Sequence, residues 1–125
     1  MSMTESPVRV TREGGLMNLR FMRPLTLNVI NQDLADALRD ACHALAANKD
    51  MRALLISGEG RSFMAGGDIS SFHAAGEHAP AVVDAIIEAL HDAVQTLTSM
   101  PVPVVAAVHG PVAGAGISMM LAADI

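Results

Sequence analysis

The end of the chain carries the pattern with the clearest chemical meaning, a glycine-rich turn between an apolar run and a set of helix formers. Residues 101–125 read PVPVVAAVHGPVAGAGISMMLAADI. Residues 102–108 have the form of a buried strand, glycines recur within residues 110–116, and residues 117–123 favour a helix. A helix that begins at such a turn directs unpaired N–H groups and the positive end of its dipole at whatever lies there. The pattern therefore indicates a place where negative charge could be stabilised during a reaction.

Three other interpretations of this stretch are open. Residues 101–123 carry no charge apart from one on a protonated His109, as a membrane helix would, although the prolines and glycines argue against a span. A dinucleotide-binding turn is the second interpretation, but Met119 stands where the third glycine should be. A glycine turn with a packing role alone is the third, and the pattern by itself fits that role as well.

Another glycine-rich loop lies earlier in the chain; it is called the first loop below, and the glycine-rich turn of residues 110–116 is called the second loop. Residues 58–67 read GEGRSFMAGG and follow an apolar run at residues 52–57 that predicts a short buried strand. Asp68 closes the loop and is expected to cap a short helix that continues through Phe72. Two loops of this kind, each after a buried strand and before a helix, are what an enzyme needs to direct two backbone N–H groups at one carbonyl oxygen.

The composition is that of a globular protein and limits the partners. The 125 residues are 51% hydrophobic and 17% charged, and their net charge of −5 argues against a nucleic acid or an anionic membrane surface as partner. The single cysteine, Cys42, is expected to be a buried, inert thiol. The histidines are not clustered as in a metal site, so no metal is expected. Residues 1–7 lack the apolar core of an export signal, and we expect a cytoplasmic protein.

Alternating strands and helices predict an α/β fold. Residues 8–10 and 16–21 flank Gly14 and Gly15, whose expected positive φ angles would make the turn of a hairpin. Asn31 is expected to cap a helix, and Pro80 to lie in the first turn of another. The predicted buried stripe of the first helix is Leu34, Leu38, Ala41, Cys42 and Leu45, and that of the second is Val83, Ile86, Ile87, Leu90, Val94 and Leu97.

Three segments, in order and at ordinary spacing, resemble the N-terminal half of the crotonase superfamily, the enoyl-CoA hydratase/isomerase family. They read RPLTLNVINQDLADAL, GEGRSFMAGGDI and PVPVVAAVHGPVAGAGISMMLAADI, and the resemblance covers essentially the whole chain. It implies an α/β fold of the ClpP/crotonase type, a spiral of repeated ββα units that is incomplete here. Because the chain stops at the start of what looks like another strand, we expect residues 1–125 to be the first part of a longer protein. The C-terminal part and the trimerisation helices would lie outside it.

The resemblance also implies site residues. The family's two oxyanion-hole N–H groups, which hold a thioester oxygen as it becomes an enolate, correspond to those of Gly67 and Ala115. By position, other residues resemble those that line or flank the path of the coenzyme A moiety: Leu25, Thr26, Leu27, Ala65, Asp68 and Ile69. Coenzyme A enters as part of an acyl-CoA substrate, and no separate cofactor is implied. The family's assemblies imply a homotrimer or a dimer of trimers for a full-length protein.

The sequence departs from the hydratases at one position. Their first catalytic glutamate stands two residues after the glycine triplet, where this chain has Ser118. A neutral hydroxyl cannot do the general-base work of a carboxylate, which favours an isomerase whose acid lies beyond Ile125. Asp124 is a poor substitute because it lies at the far end of the helix, about 13 Å from Ala115 along the axis.

Three other functions stay open. They are a hydratase that uses another acid, a non-catalytic acyl-CoA-binding protein, and a Clp-like serine hydrolase that uses Ser118 and His109. Residues 1–125 alone are expected to be weakly soluble and inactive.

Overall fold

The computed structural model describes residues 6–125, which form one four-stranded sheet with its helices. The strands are β1 (Val8–Glu13), β2 (Leu16–Phe21), β3 (Ala53–Gly58) and β4 (Val104–Ala106), and the helices are α1 (Gln32–Ala46), α2 (Ile69–Ala75), α3 (Ala79–Thr98) and α4 (Ala115–Ala122). Short 3₁₀ helices lie at Pro24–Thr26 and Gly76–His78. This order confirms the predicted α/β class. Among the described residues, no helix combines the length and the apolar character that crossing a membrane requires.

The sheet runs in the order β1-β2-β3-β4, and only its first pair is antiparallel. Val8 opposes Phe21 across the hairpin, which confirms the predicted opening turn, although β1 is longer than expected. Gly14 has a positive φ of 62°, whereas the φ of Gly15 is not positive. The expectation that both glycines have positive φ angles was therefore wrong. The parallel pairs are connected through helices, as parallel strands require.

One face of the sheet supplies the core. Alternate residues of β2 and β3, such as Leu19 and Ile56, are fully buried, while the residues between them are only half-buried. Asn31 caps α1 by accepting a hydrogen bond from the Leu34 N–H at 3.0 Å. Four of the five predicted stripe residues of α1 are buried and Ala41 is half-buried, so the apolar period of this helix was predicted correctly.

The buried face of α3 differs from the predicted stripe. Its buried residues are Ile86, Ala89, Ala93 and Leu97, whereas Ile87 is 52% exposed. Helix α3 packs closely on α1, and a row of residues that includes small alanines lets the two helices approach each other. The bulky row with Ile87 consequently turns toward α4 and solvent, and the prediction that Ile87 is buried was wrong.

Two predicted boundaries also change. Helix α2 continues to Ala75 instead of ending at Phe72, and β4 spans three residues instead of the predicted residues 102–108. Before β4, Pro103 has no N–H to contribute to the hydrogen-bond ladder of the sheet. After β4, the chain leaves the sheet and contacts the loop of residues 58–67, where the Phe63 N–H donates to the His109 carbonyl at 2.9 Å. The end of the chain pairs with β4 as another strand would, since Ala106 N–H donates to the Ile125 carbonyl at 2.9 Å.

Candidate active site

The two glycine-rich loops meet at the C-terminal ends of β3 and β4. Met64 and Val112 form an isolated parallel bridge between them. Gly116 packs so closely against the first loop that an added Cβ would lie 2.1 Å from the Met64 carbonyl oxygen. A Cβ added to Gly114 would lie 3.7 Å from the Cα of Gly66. The contact between the two loops therefore requires glycine at position 116, because no larger residue fits there.

A buried asparagine ties the first loop to the segment that follows β2. Asn28 is fully buried, and its side-chain oxygen accepts a hydrogen bond from the Arg23 N–H at 2.8 Å. Its amide nitrogen donates to the carbonyls of Glu59 and Ser62 at 3.0 and 2.8 Å. Its φ of 53° is one that asparagine tolerates better than most residues. The side chain thus fixes the distance between two segments that are far apart in sequence.

Ser62 ties the first loop to the second one. This residue is fully buried, and its hydroxyl donates to the Pro111 carbonyl at 2.5 Å. Together with Asn28 it connects three segments, because buried polar groups hold their surroundings in the geometry that satisfies them.

The two predicted oxyanion-hole residues lie next to the contact between the loops. Gly67 directly follows Gly66 and pairs with Ile30, but the bridge uses the Gly66 carbonyl and the Asp68 N–H, not the N–H of Gly67 itself. Ala115 is the first residue of α4, after Gly114 with φ 51°. Within residues 6–125, neither N–H donates to another group. Two unpaired backbone donors therefore lie beside one junction, and their role as an oxyanion hole stays a prediction.

The residues predicted to contact coenzyme A lie beside the first loop. Ala65 N–H donates to the Leu27 carbonyl at 3.1 Å, which brings the 3₁₀ helix containing Leu25 and Thr26 alongside the loop. The side chains of Leu25 and Ile69 are 99% and 77% exposed. These exposed positions are accessible to a ligand.

Asp68 caps α2, as predicted. Its carboxylate accepts hydrogen bonds from the N–H and the hydroxyl of Ser71 at 3.3 and 2.8 Å. A contact between Asp68 and coenzyme A stays a prediction.

Ser118 lies one helical turn beyond Ala115 and lines an open groove between α3 and α4. The groove has a volume of about 220 Å³, and its other lining residues are Ile87, Leu90, His91 and Val94. Asp124, the other residue considered as an acid, is bound to β4 through its carboxylate, which accepts from the Val104 N–H at 2.8 Å.

The serine hydrolase interpretation gains no support from the histidine that it requires. The Nε2–H of His109 donates to the Gly60 carbonyl at 2.6 Å. Within the described part of the chain, no three histidine, cysteine, aspartate or glutamate side chains come together as metal ligands would.

Comparison with known proteins identifies the family. The family model described as enoyl-CoA hydratase/isomerase matches residues 11–125, almost the whole chain. The chain belongs to the enoyl-CoA hydratase/isomerase family. A probable enoyl-CoA hydratase of Rhodobacter capsulatus is 34% identical over 98% of this chain and 46% of its own length. A 1,2-epoxyphenylacetyl-CoA isomerase of Escherichia coli is 32% identical over 90% of this chain and 44% of its own length.

The solved structures give the same result for the fold. A crystal structure of an enoyl-CoA hydratase from Polaromonas sp. JS666 matches with a TM-score of 0.85 at 36% identity, covering 94% of this chain and 46% of the other. The predicted crotonase-type fold is thus confirmed as a partial one, since the chain spans about half the length of the relatives that it matches.

Three residues that lie at the loops or in the groove were not predicted as site residues from the sequence. Asn28 and Ser62 hold the loops, and His91 lines the groove beside Ser118. A signal for Asn28 was present, because an asparagine between Leu27 and Val29 is a polar residue in apolar surroundings. Ser62 and His91 carry no such signal, since serine in a glycine-rich loop and histidine on a helix are ordinary surface residues.

Proposed function

We propose that the protein processes an acyl-CoA thioester by stabilising its enolate between the N–H groups of Gly67 and Ala115. The observation that carries this proposal is the pair of unpaired backbone donors beside the junction of the two loops. Negative charge that develops on a thioester oxygen is stabilised most by donors that are already oriented. The loops are fixed by Asn28 and Ser62, so orienting the donors needs no rearrangement on binding.

The reaction proposed is the movement of a double bond rather than the addition of water. Ser118 supports this, because a hydroxyl in place of a carboxylate leaves water without its general base at that position. Isomerisation of a 3-enoyl thioester takes a proton from C2 and returns one to C4, with the dienolate oxygen between the two N–H groups. The relatives include both hydratases and an isomerase, which is compatible with either reaction.

The test compares a 3-enoyl-CoA with a 2-enoyl-CoA, using the complete encoded protein, that is, residues 1–125 with any residues that follow Ile125. We expect conversion of the 3-enoyl ester with little hydration of the 2-enoyl ester. Efficient hydration would contradict the isomerase proposal and show that another acid replaces the missing glutamate. Binding of both esters without turnover of either would support the acyl-CoA-binding alternative instead.

A further inference from the structure

The groove between α3 and α4 has an apolar wall with two polar side chains. Ile87, Leu90 and Val94 supply the apolar part, and His91 and Ser118 are the polar residues. The two come from different helices, His91 from α3 and Ser118 from α4. Their presence in one groove is a consequence of how these helices pack and is not visible in the sequence.

Neither polar side chain is engaged elsewhere. Within residues 6–125, His91 and Ser118 make no side-chain hydrogen bond or ion pair, whereas His43 contacts Asp92 at 2.5 Å and His109 contacts Gly60. His91 is exposed and faces the groove with its ring nitrogens unpaired. A ligand in the groove would therefore meet an imidazole that has no competing partner.

One lining residue of the groove, Ser118, lies on the same helix as the proposed oxyanion donor Ala115. Ser118 follows Ala115 by three residues, which is about 4.5 Å along the axis of α4. An acyl group whose thioester oxygen is held at the N–H of Ala115 would extend from there past Ser118 along the groove. Its first carbons, where protons must move in an isomerisation, would then lie near this wall.

Among residues 6–125, no other titratable group lines the groove beside His91. The charged residues near it on α3, Glu88 and Asp92, line a different cleft together with Arg39 of α1. Helix α4 has no charged residue. Histidine is the side chain that ordinarily gains and loses a proton between pH 5 and 8, and it is the most frequent general acid or base in enzymes.

We infer that His91 is a catalytic residue that transfers the proton between C2 and C4 of the acyl group, an inference that rests on the proposed function. The neutral imidazole takes a proton from C2 of a 3-enoyl thioester, and the C–H electron pair forms the dienolate. The imidazolium then returns the proton to C4, and the electrons move back to leave a double bond between C2 and C3. The proton count balances, and the imidazole ends neutral, as it began.

The test compares wild type, His91→Gln and His78→Gln in the complete encoded protein. His78 is a matched control because its side chain is 81% exposed and lies outside the groove. Three quantities are measured: kcat for a 3-enoyl-CoA from pH 5 to 9, exchange of the C2 protons of a saturated acyl-CoA in D2O, and the Kd of that saturated ester. We expect His91→Gln to lower kcat and exchange by about 10²–10⁴, while Kd changes less than about threefold.

The pH profile supplies a second criterion. Because the base must be neutral to accept a proton, wild-type kcat should fall toward low pH, and His91→Gln should lose this limb. If His91→Gln keeps kcat and the limb, the inference is wrong while the proposed function stands. The inference is also wrong if the wild-type protein binds the ester but catalyses neither isomerisation nor exchange of the C2 protons. A protein that does not bind the ester at all overturns the proposed function and the inference with it.

Discussion

Ala115 is the first residue of α4, a position at which a helix does not use the backbone N–H. Proline is tolerated there because its fixed φ suits the first turn and the missing donor is not needed by the helix. Ala115→Pro therefore removes one proposed oxyanion donor with little effect on the fold. We expect kcat for a 3-enoyl-CoA to fall by about 10²–10³.

The matched control for this prediction is Ala115→Gly, which keeps the N–H and should keep most of the activity. Thermal unfolding of both variants shows whether the fold is intact. Full activity of a well-folded Ala115→Pro protein would mean that this N–H does not hold the substrate oxygen.

Cys42 gives a prediction about pH and stability. Burial, with a smaller contribution from the charge of Asp92, raises the pKa of the Cys42 thiol to about 12. The unfolded chain loses this proton at a lower pH than the folded chain, so the free energy of unfolding should fall as the pH rises above about 9. The slope is at most about 1.4 kcal/mol per pH unit.

The measurement is urea denaturation between pH 8 and 10.5 for wild type and Cys42→Ala. The variant should lack this part of the pH dependence, although it loses some stability at every pH because a buried sulfur is removed. Parallel curves for the two proteins would show that the thiol does not titrate with the expected shift.

At the scale of the elements, the junction of the two loops depends on Gly116. A Cβ at this position would lie 2.1 Å from the Met64 carbonyl oxygen and 3.0 Å from a methyl carbon of Val112. We expect Gly116→Ala to destabilise the protein by about 3 kcal/mol, because the start of α4 must move away from the first loop. Activity should fall as well, since both proposed donors lie beside this contact.

Gly76→Ala is the comparison for Gly116→Ala. An added Cβ at Gly76 meets nothing within 4 Å, so its cost is limited to the backbone strain of a φ of 57°. With a ψ of −123° the residue lies outside the left-handed helical region, and that strain is of order 1–3 kcal/mol. Urea denaturation of the two variants separates the effects, and equal costs would argue against a steric role for Gly116.

The sequence predicts the elements better than it predicts their contacts. The period of α1 and the caps Asn31 and Asp68 are local features, and they were predicted correctly. Ile87 was misplaced because α3 is apolar around much of its circumference, so its period does not say which row faces α1. The groove could not be predicted at all, since it depends on how α3 lies against α4.

For the molecule as a whole, several large apolar side chains near residue 125 are exposed. Ile117, Met120 and Leu121 of α4 are exposed, and Ile125, which is 83% exposed, continues the sheet beyond β4. We expect residues 1–125 in isolation to self-associate, because exposed apolar side chains and an open strand edge both favour association. The net charge of −5 opposes this only weakly at physiological ionic strength.

Sedimentation velocity over a range of concentrations measures this association. The double variant Met120→Gln/Leu121→Gln should shift residues 1–125 toward the monomer. An isolated wild-type chain that stays monomeric at high concentration would contradict the prediction.

The polar contacts of Asn28 and Ser62 and the groove between α3 and α4 have no residue in common. The hydrogen bonds that hold the loops together and the residues that line the groove can therefore change independently. Substitutions at Ile87, Leu90 or Ser118 alter the size and polarity of the groove without touching the hydrogen bonds that hold the loops together. Under the proposed function, such substitutions would change which acyl groups fit while the loops keep their geometry, so the groove is where a directed-evolution library is best placed.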